Sequence, residues 1–298
     1  MTILNATNDG LYPELISIFR AVAHYGSVDR NSVIELCTRG IQGDPARLRL
    51  VLKRWTDLGL FEMKAESIKI AEQFGKKKRG ERIDEITARL PTVCRTIILN
   101  AHNCIPLWGD SSGIASDFVS GTAWLLAQDI YELPKVWVGG VEDLQNAQIA
   151  SDMKIIENDT RWNPLRYWMR YLGFATGDGT AFQLDPTIAI KAELPMIFGD
   201  RSDLSAHDFI TALASRLPVL DFGQYRKLVE NVLSKECWRQ PDKIHLSMSL
   251  SLALRRLDLD NVIHLTGQAD AGTSYRLTGR NYRSWIGFET VRWIGRQL

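Results

Sequence analysis

Gly109-Asp110-Ser111-Ser112-Gly113 is the segment of this 298-residue chain that most resembles a catalytic motif. A Gly-x-Ser-x-Gly turn presents a serine hydroxyl to a carbonyl substrate, and His207, His245 or His264 downstream could take the proton. That chemistry needs a buried parallel strand before the serine and a helix after it. Asn103-Cys104-Ile105-Pro106-Leu107-Trp108 precedes it instead, with a proline where a central strand needs a backbone donor. The chain also lacks the alternation of strands and helices that builds such a sheet. Asp110 and Ser111 are better read as capping the next helix, and a serine hydrolase stays a distant alternative. His102 and Cys104 offer two metal ligands, but no second pair lies at zinc-finger spacing. No glycine-rich loop ends in Gly-Lys-Ser or Gly-Lys-Thr, and the acidic residues are too scattered for a nuclease cluster. The chain therefore reads as catalytically silent, with no catalytic residue, metal or cofactor expected.

Binding chemistry is better represented. Residues 1–95 hold 16 Lys+Arg against 12 Asp+Glu, residues 96–240 hold 12 against 18, and residues 241–298 hold 8 against 5. Basic ends around an acidic middle fit nucleic-acid contact through the ends, although offsets of this size also arise by chance. Arg47, Arg49, Lys53 and Arg54 crowd one short segment. Lys64 and Lys69 follow, and then Lys76-Lys77-Lys78-Arg79, the densest positive run in the chain. That run is either a strap that grips phosphates or a solvated linker.

The elements that must position these cations are legible in the hydrophobic pattern. Leu15, Ile18, Phe19, Val22 and Ala23 give Leu11 to Tyr25 a helical stripe, ended by Gly26. Asp29 or Ser27 can cap a second helix through Val33, Ile34 and Cys37. Asp44-Pro45 opens a third, which buries Leu48, Val51 or Leu52, Trp55 and Leu58 and so leaves Arg47, Arg49, Lys53 and Arg54 largely outside. Leu60 to Met63 and Ser67 to Ile70 alternate as a hairpin with Ala65 and Glu66 at its tip.

The helix, break and hairpin recur twice. Arg161 to Leu184 has a helix starting near Asn163-Pro164, then Gly177-Asp178-Gly179 as a tight turn, and Leu172 to Leu184 keeps the register of Leu58 to Ile70. Ser247 to Leu277 has Val262-Ile263-His264-Leu265, a longer tip from Gly267 to Gly272, and Ser274-Tyr275-Arg276-Leu277. Beyond it, Arg280, Tyr282, Arg283, Trp285, Phe288, Arg292, Trp293 and Arg296 interleave arginine with aromatics. They could stack on bases, but helical spacing favours a packing face. Between the units, Ile83 to Asn100, interrupted at Pro91, and Ser116 to Tyr131 read as helices, and Val136-Trp137-Val138 as a short strand.

The expected fold is mainly α with small β-hairpins (α+β), as tandem winged-helix units joined by a helical connector. The units fall at 1–75, 146–200 and 201–298, the last with a C-terminal helix, and a basic linker and helical connector lie at 76–145. Composition is 45% hydrophobic and 24% charged, ordinary for a folded domain. Met1 to Gly10 lacks a basic start and apolar core, and no apolar run approaches the ~20 residues that span a bilayer, so a cytoplasmic location without membrane contact is expected. Cys37, Cys94, Cys104 and Cys237 read as reduced structural residues.

Leu11 to Ile70 resembles winged-helix DNA-binding domains. Ile3-Leu4-Asn5 with Asp9-Gly10-Leu11 at the first helix, together with the length and the tandem arrangement, is similar to the DpdG proteins of bacterial islands that insert deazapurines into DNA and restrict foreign DNA. The resemblance implies a non-enzymatic partner in a multiprotein phage-defence system, and it assigns no residue. The leading expectation is a DNA-binding component whose Arg47, Arg49, Lys53 and Arg54 meet groove and backbone of duplex DNA, with Lys64, Lys69 and Lys76 to Arg79 on phosphates. The alternative is an assembly scaffold whose units dock other proteins.

Overall fold

A computed structural model describes residues 2–5, 12–41, 43–75, 80–267 and 274–295. The chain divides into two compact units, Met1–Ser116 and Asp117–Leu298. It is mainly helical, with small antiparallel strand pairs. Among the described residues, no helix is long and apolar enough to cross a membrane.

The first unit begins α1 (Tyr12–Tyr25), β1 (Val28–Asp29), α2 (Arg30–Ile41), α3 (Pro45–Asp57), β2 (Phe61–Lys64), β3 (Ser67–Ile70). Its sheet runs β1-β3-β2, with Val28 opposite Ile68 and Phe61 opposite Ile70. Leu15, Ile18, Phe19 and Val22 of α1 meet Leu48, Val51, Leu52 and Trp55 of α3 in a buried core. Asp44 accepts from the Ala46 amide at 2.8 Å with Pro45 at the first helical turn, so α3 starts where its sequence directs. Asp29, not Ser27, caps α2, accepting from the amides of Asn31 and Ser32 at 2.9 Å. These bonds, the one from the Ser32 amide foremost, hold its carboxyl below the ordinary value.

Four short helices follow: α4 (Glu72–Gly75), α5 (Ile83–Ala88), α6 (Leu90–Ile98) and α7 (Ala101–Cys104). The break near Pro91 is real but falls at Arg89, which leaves the proline in the first turn of α6. Asn103 donates to the carbonyls of Leu58 and Ile97, and the Cys104 thiol to those of Ile98 and Asn100. Of the suspected ligand pair His102 and Cys104, the thiol is thus tied to backbone carbonyls.

In the second unit, α8 (Ser116–Leu126) is buried on every side, as expected of a helix apolar all round. Its start at Ser116 removes Asp110 and Ser111 from the capping role expected of them, and residues 101–110, directly before Ser111, contain no strand. Val136 to Val138 is not a strand. Gly139 at φ +69° turns the chain there into α9 (Glu142–Gln148), and Val136 and Val138 stay exposed. The sequence α10 (Asp159–Tyr171), β4 (Ala175–Thr176), β5 (Gln183–Leu184) forms the second helix and hairpin. Asn158 caps α10 by accepting from the Arg161 amide, earlier than Asn163-Pro164, because a proline is tolerated early in a helix without having to begin it.

The remaining elements are α11 (Thr187–Phe198), β6 (Asp203–Ser205), α12 (Ala206–Arg216), α13 (Gln224–Glu230), α14 (Met248–Leu259), β7 (Ile263–Thr266), β8 (Tyr275–Thr278), β9 (Ser284–Phe288) and β10 (Thr290–Trp293). The expected third hairpin is replaced. β7 pairs with β10, Ile263 opposite Trp293, while β8 pairs with β9 as an inserted hairpin. The tail is therefore strand and not helix. Its β-branched and aromatic residues follow the pleat, and the helical spacing of Trp285 and Phe288 is incidental. The resulting sheet β6-β10-β7 has the strand order of β1-β3-β2, and α11, α12 and α14 stand in chain order as α1, α2 and α3 do.

One backbone device occurs after α3, α10 and α14. Leu60 donates to Trp55, Phe174 to Met169 and Val262 to Leu257, at 2.8, 2.8 and 2.9 Å. The residue just before each donor, Gly59, Gly173 or Asn261, has φ between +53° and +93°. This is the Schellman closure of a helix, and each time it turns the chain into the hairpin or strand that follows.

Candidate nucleic-acid interface

Burial of the apolar stripe of α3 leaves two flanks, and the structure treats them oppositely. Arg47 and Arg54 lie toward one flank. The Arg47 guanidinium reaches Glu14 of α1 at 2.8 Å, and Arg54 is buried and donates to the Ile3 carbonyl at 3.3 Å. Arg54 is thus not on the outward face expected for it. Packing the stripe against α1 and the N-terminal segment carries that flank inward too, and a long guanidinium can reach a carbonyl that a short polar side chain could not.

Arg49 and Lys53 lie one turn apart on the other flank, both exposed, with no ion pair among the described residues. Lys64, at the end of β2 beside the turn, is likewise exposed and without an ion pair among the described residues. Lys69 sits on β3 opposite Glu62, 2.9 Å from its carboxylate. That contact raises the Lys69 ammonium and lowers the Glu62 carboxyl from their ordinary values. Lys76, Lys77, Lys78 and Arg79 lie outside the described residues. The structure therefore brings Arg49 and Lys53 together on one helix face and Lys64 and Lys69 onto one hairpin, and it withdraws Arg47 and Arg54.

Among the described residues, α10 and α14 offer no equal of this face. On α14, Arg255 pairs with Asp258 at 2.7 Å and Arg256 pairs with Asp185. On α10, Arg166 lies over the Trp162 and Phe182 rings and donates to the Gly179 carbonyl, and Arg170 reaches Asp178 at 3.0 Å. These cations hold the second hairpin tip to its helix, which leaves them committed within the fold.

One concave site had no signal in the sequence. A cavity of about 190 Å³ in the second unit gathers Asp129, Arg239, Asp242, His245, Thr278 and Tyr282, spread over some 150 positions. No contiguous motif could mark it. At its edge the backbone of Asn281 and Tyr282 takes φ of +59° and +58°.

Comparison with curated proteins and with solved structures gave no match. The DpdG-like family matches residues 1–271, so this helix-and-hairpin chain, with its exposed basic flank on α3, belongs to the DpdG-like family.

Proposed function

We propose that the protein is a non-enzymatic DNA-binding component of the deazapurine DNA-modification system with which its family is associated, and that its first unit acts as a winged helix on duplex DNA. The observation that carries this reading is the pair Arg49 and Lys53. They are exposed one turn apart on the third helix of a helix-strand-helix-helix-hairpin unit, with Lys64 on the hairpin beyond. A helix of this placement can enter a major groove while the hairpin meets the flanking backbone. Free cations suit phosphate contact because no internal carboxylate must be given up first. Arg47 and Arg54 belong to the scaffold in this reading.

A salt titration of duplex binding tests it. R49Q/K53Q is expected to weaken binding at 0.1 M salt by about tenfold and to make the log-log salt slope shallower by about two, since each phosphate contact contributes about 0.9. Parent affinity together with the parent slope would remove α3 from the interface.

A further inference from the structure

The cavity of the second unit is built in a way that its fold alone does not require. Arg239 lies over the ring of Tyr282 at 4.3 Å, and both side chains are exposed at the cavity. Tyr282 and its neighbour Asn281 hold positive φ, a strained backbone for residues other than glycine. Their turn is fastened by Arg280, which reaches Glu132 at 2.9 Å. Strain kept at the rim of a cavity presents that aromatic ring there. Inside, the Thr278 hydroxyl oxygen is buried and has no hydrogen-bond partner among the described residues, an expensive condition unless something fills it. Asp129 accepts from the Tyr131 amide with one carboxylate oxygen, and the other has no partner among the described residues. Asp242 is already engaged by His245 and by the Ile244 amide.

The charge distribution narrows the ligand. The half-buried Asp129 carboxylate lies among the lining residues and repels an anion there, Asp242 at the exposed edge is taken up by His245, and Arg239, Lys243 and Arg283 are exposed at or beside the lining residues with no ion pair among the described residues. A ligand that fits has a flat uncharged head with N–H donors for Asp129, a face to lie against the Tyr282 and Arg239 pair, and an anionic tail for the cationic rim. We propose that this cavity binds a nucleotide, base inward and phosphate at the rim. The base either belongs to a free nucleotide or is turned out of a DNA strand, which requires it to leave the stack. A carboxylate takes adjacent N–H donors in pairs, so guanine is preferred to thymine. The site is independent of α3 and does not rest on duplex binding by the first unit.

The test is calorimetric titration of the full chain with dGMP, TMP and a single-stranded oligonucleotide. D129N is isosteric and keeps the bond from Tyr131, and R239Q changes an exposed side chain, so both are expected to fold as the parent, checked by circular dichroism. The expected result is dGMP binding tighter than TMP and weakened about tenfold by either variant, with R49Q/K53Q leaving it unchanged. An oligonucleotide that binds far more tightly than dGMP, with the same loss in both variants, identifies the strand as the source; equal affinities identify the free nucleotide. No binding of either probe at millimolar concentration, or binding indifferent to both variants, overturns the proposal. Duplex affinity measured on the same samples shows whether the reading of α3 stands or falls separately.

Discussion

The Arg47 guanidinium sits 2.8 Å from the Glu14 carboxylate, which is almost wholly buried, and the pair joins α1 to α3 across the core of the first unit. A cation so placed stabilises the helix packing on which Arg49 and Lys53 depend. E14Q or R47Q is expected to lower stability by about 1–3 kcal/mol, between the values for exposed and buried pairs, because either change strands a partly desolvated charge. Urea denaturation of the single variants and of the double variant measures it. The double is expected to lose less than the sum of the singles, and strict additivity would show that the two groups are not coupled.

The pairing of Lys69 with Glu62 on the hairpin makes a second prediction, with opposite sign. Glu62 offsets a cation that the proposed interface would use. E62Q is expected to tighten duplex binding and steepen its salt slope, whereas K64Q is expected to weaken binding and flatten the slope by about 0.9. A filter-binding titration in which E62Q weakens duplex binding would exclude this hairpin from the contact.

Much of the first unit was legible because its signals are local. Asp44-Pro45, the stripe of α3 and the Ala65-Glu66 turn act within a few residues, and each produced the expected element. The two flanks of α3 were not legible, since nothing in Arg47 or Arg54 reveals that Glu14 and Ile3 lie opposite. The third hairpin failed for a related reason. β7 passes over the nearer strand β8 for β10, a choice made by the sheet with β6 and not by the turn. The cavity at Asp129 and Tyr282 is assembled from distant residues and has no local signature at all.

The three Schellman closures predict a graded series. G59A is expected to cost about 1–2 kcal/mol from the left-handed backbone alone, since a Cβ there would meet nothing within 4 Å. G173A is expected to cost more, because its Cβ would lie 2.9 Å from both the Ala189 amide nitrogen and the Ile188 side chain. N261G, which relieves φ of +53°, is expected to be neutral or slightly stabilising. Thermal melts of the three variants check the order, and a G59A loss equal to or above that of G173A would refute it.

The capping carboxylate of Asp29 sets a pH dependence. Its folded pKa lies below the ordinary value because the Ser32 and Asn31 amides and the Ser32 hydroxyl donate to the ionised form. Its contribution is therefore fully present above the unfolded pKa and is lost as pH falls through the folded one. D29N should be less stable than the parent at neutral pH, and the two stability curves should converge in acid as the parent carboxyl protonates. Parallel curves down to low pH would mean that the charge of Asp29 is not what holds the start of α2.

Thiol reactivity tests the packing of the first unit, with the exposed Cys237 of the second as the internal reference. Burial pushes the Cys37 thiol up to about 11 and raises Cys94 as well, and the Cys104 thiol is buried against carbonyls. Cys237 is exposed. Only a thiolate is alkylated at a useful rate, so at pH 8 iodoacetamide should modify Cys237 first, and the other three only when the chain opens. Peptide mass spectrometry over time reads this directly. If Cys37 were modified as fast as Cys237, the α1 and α2 packing around it would have to be open in solution, and the rigid placement of α3 against α1 would lose its support.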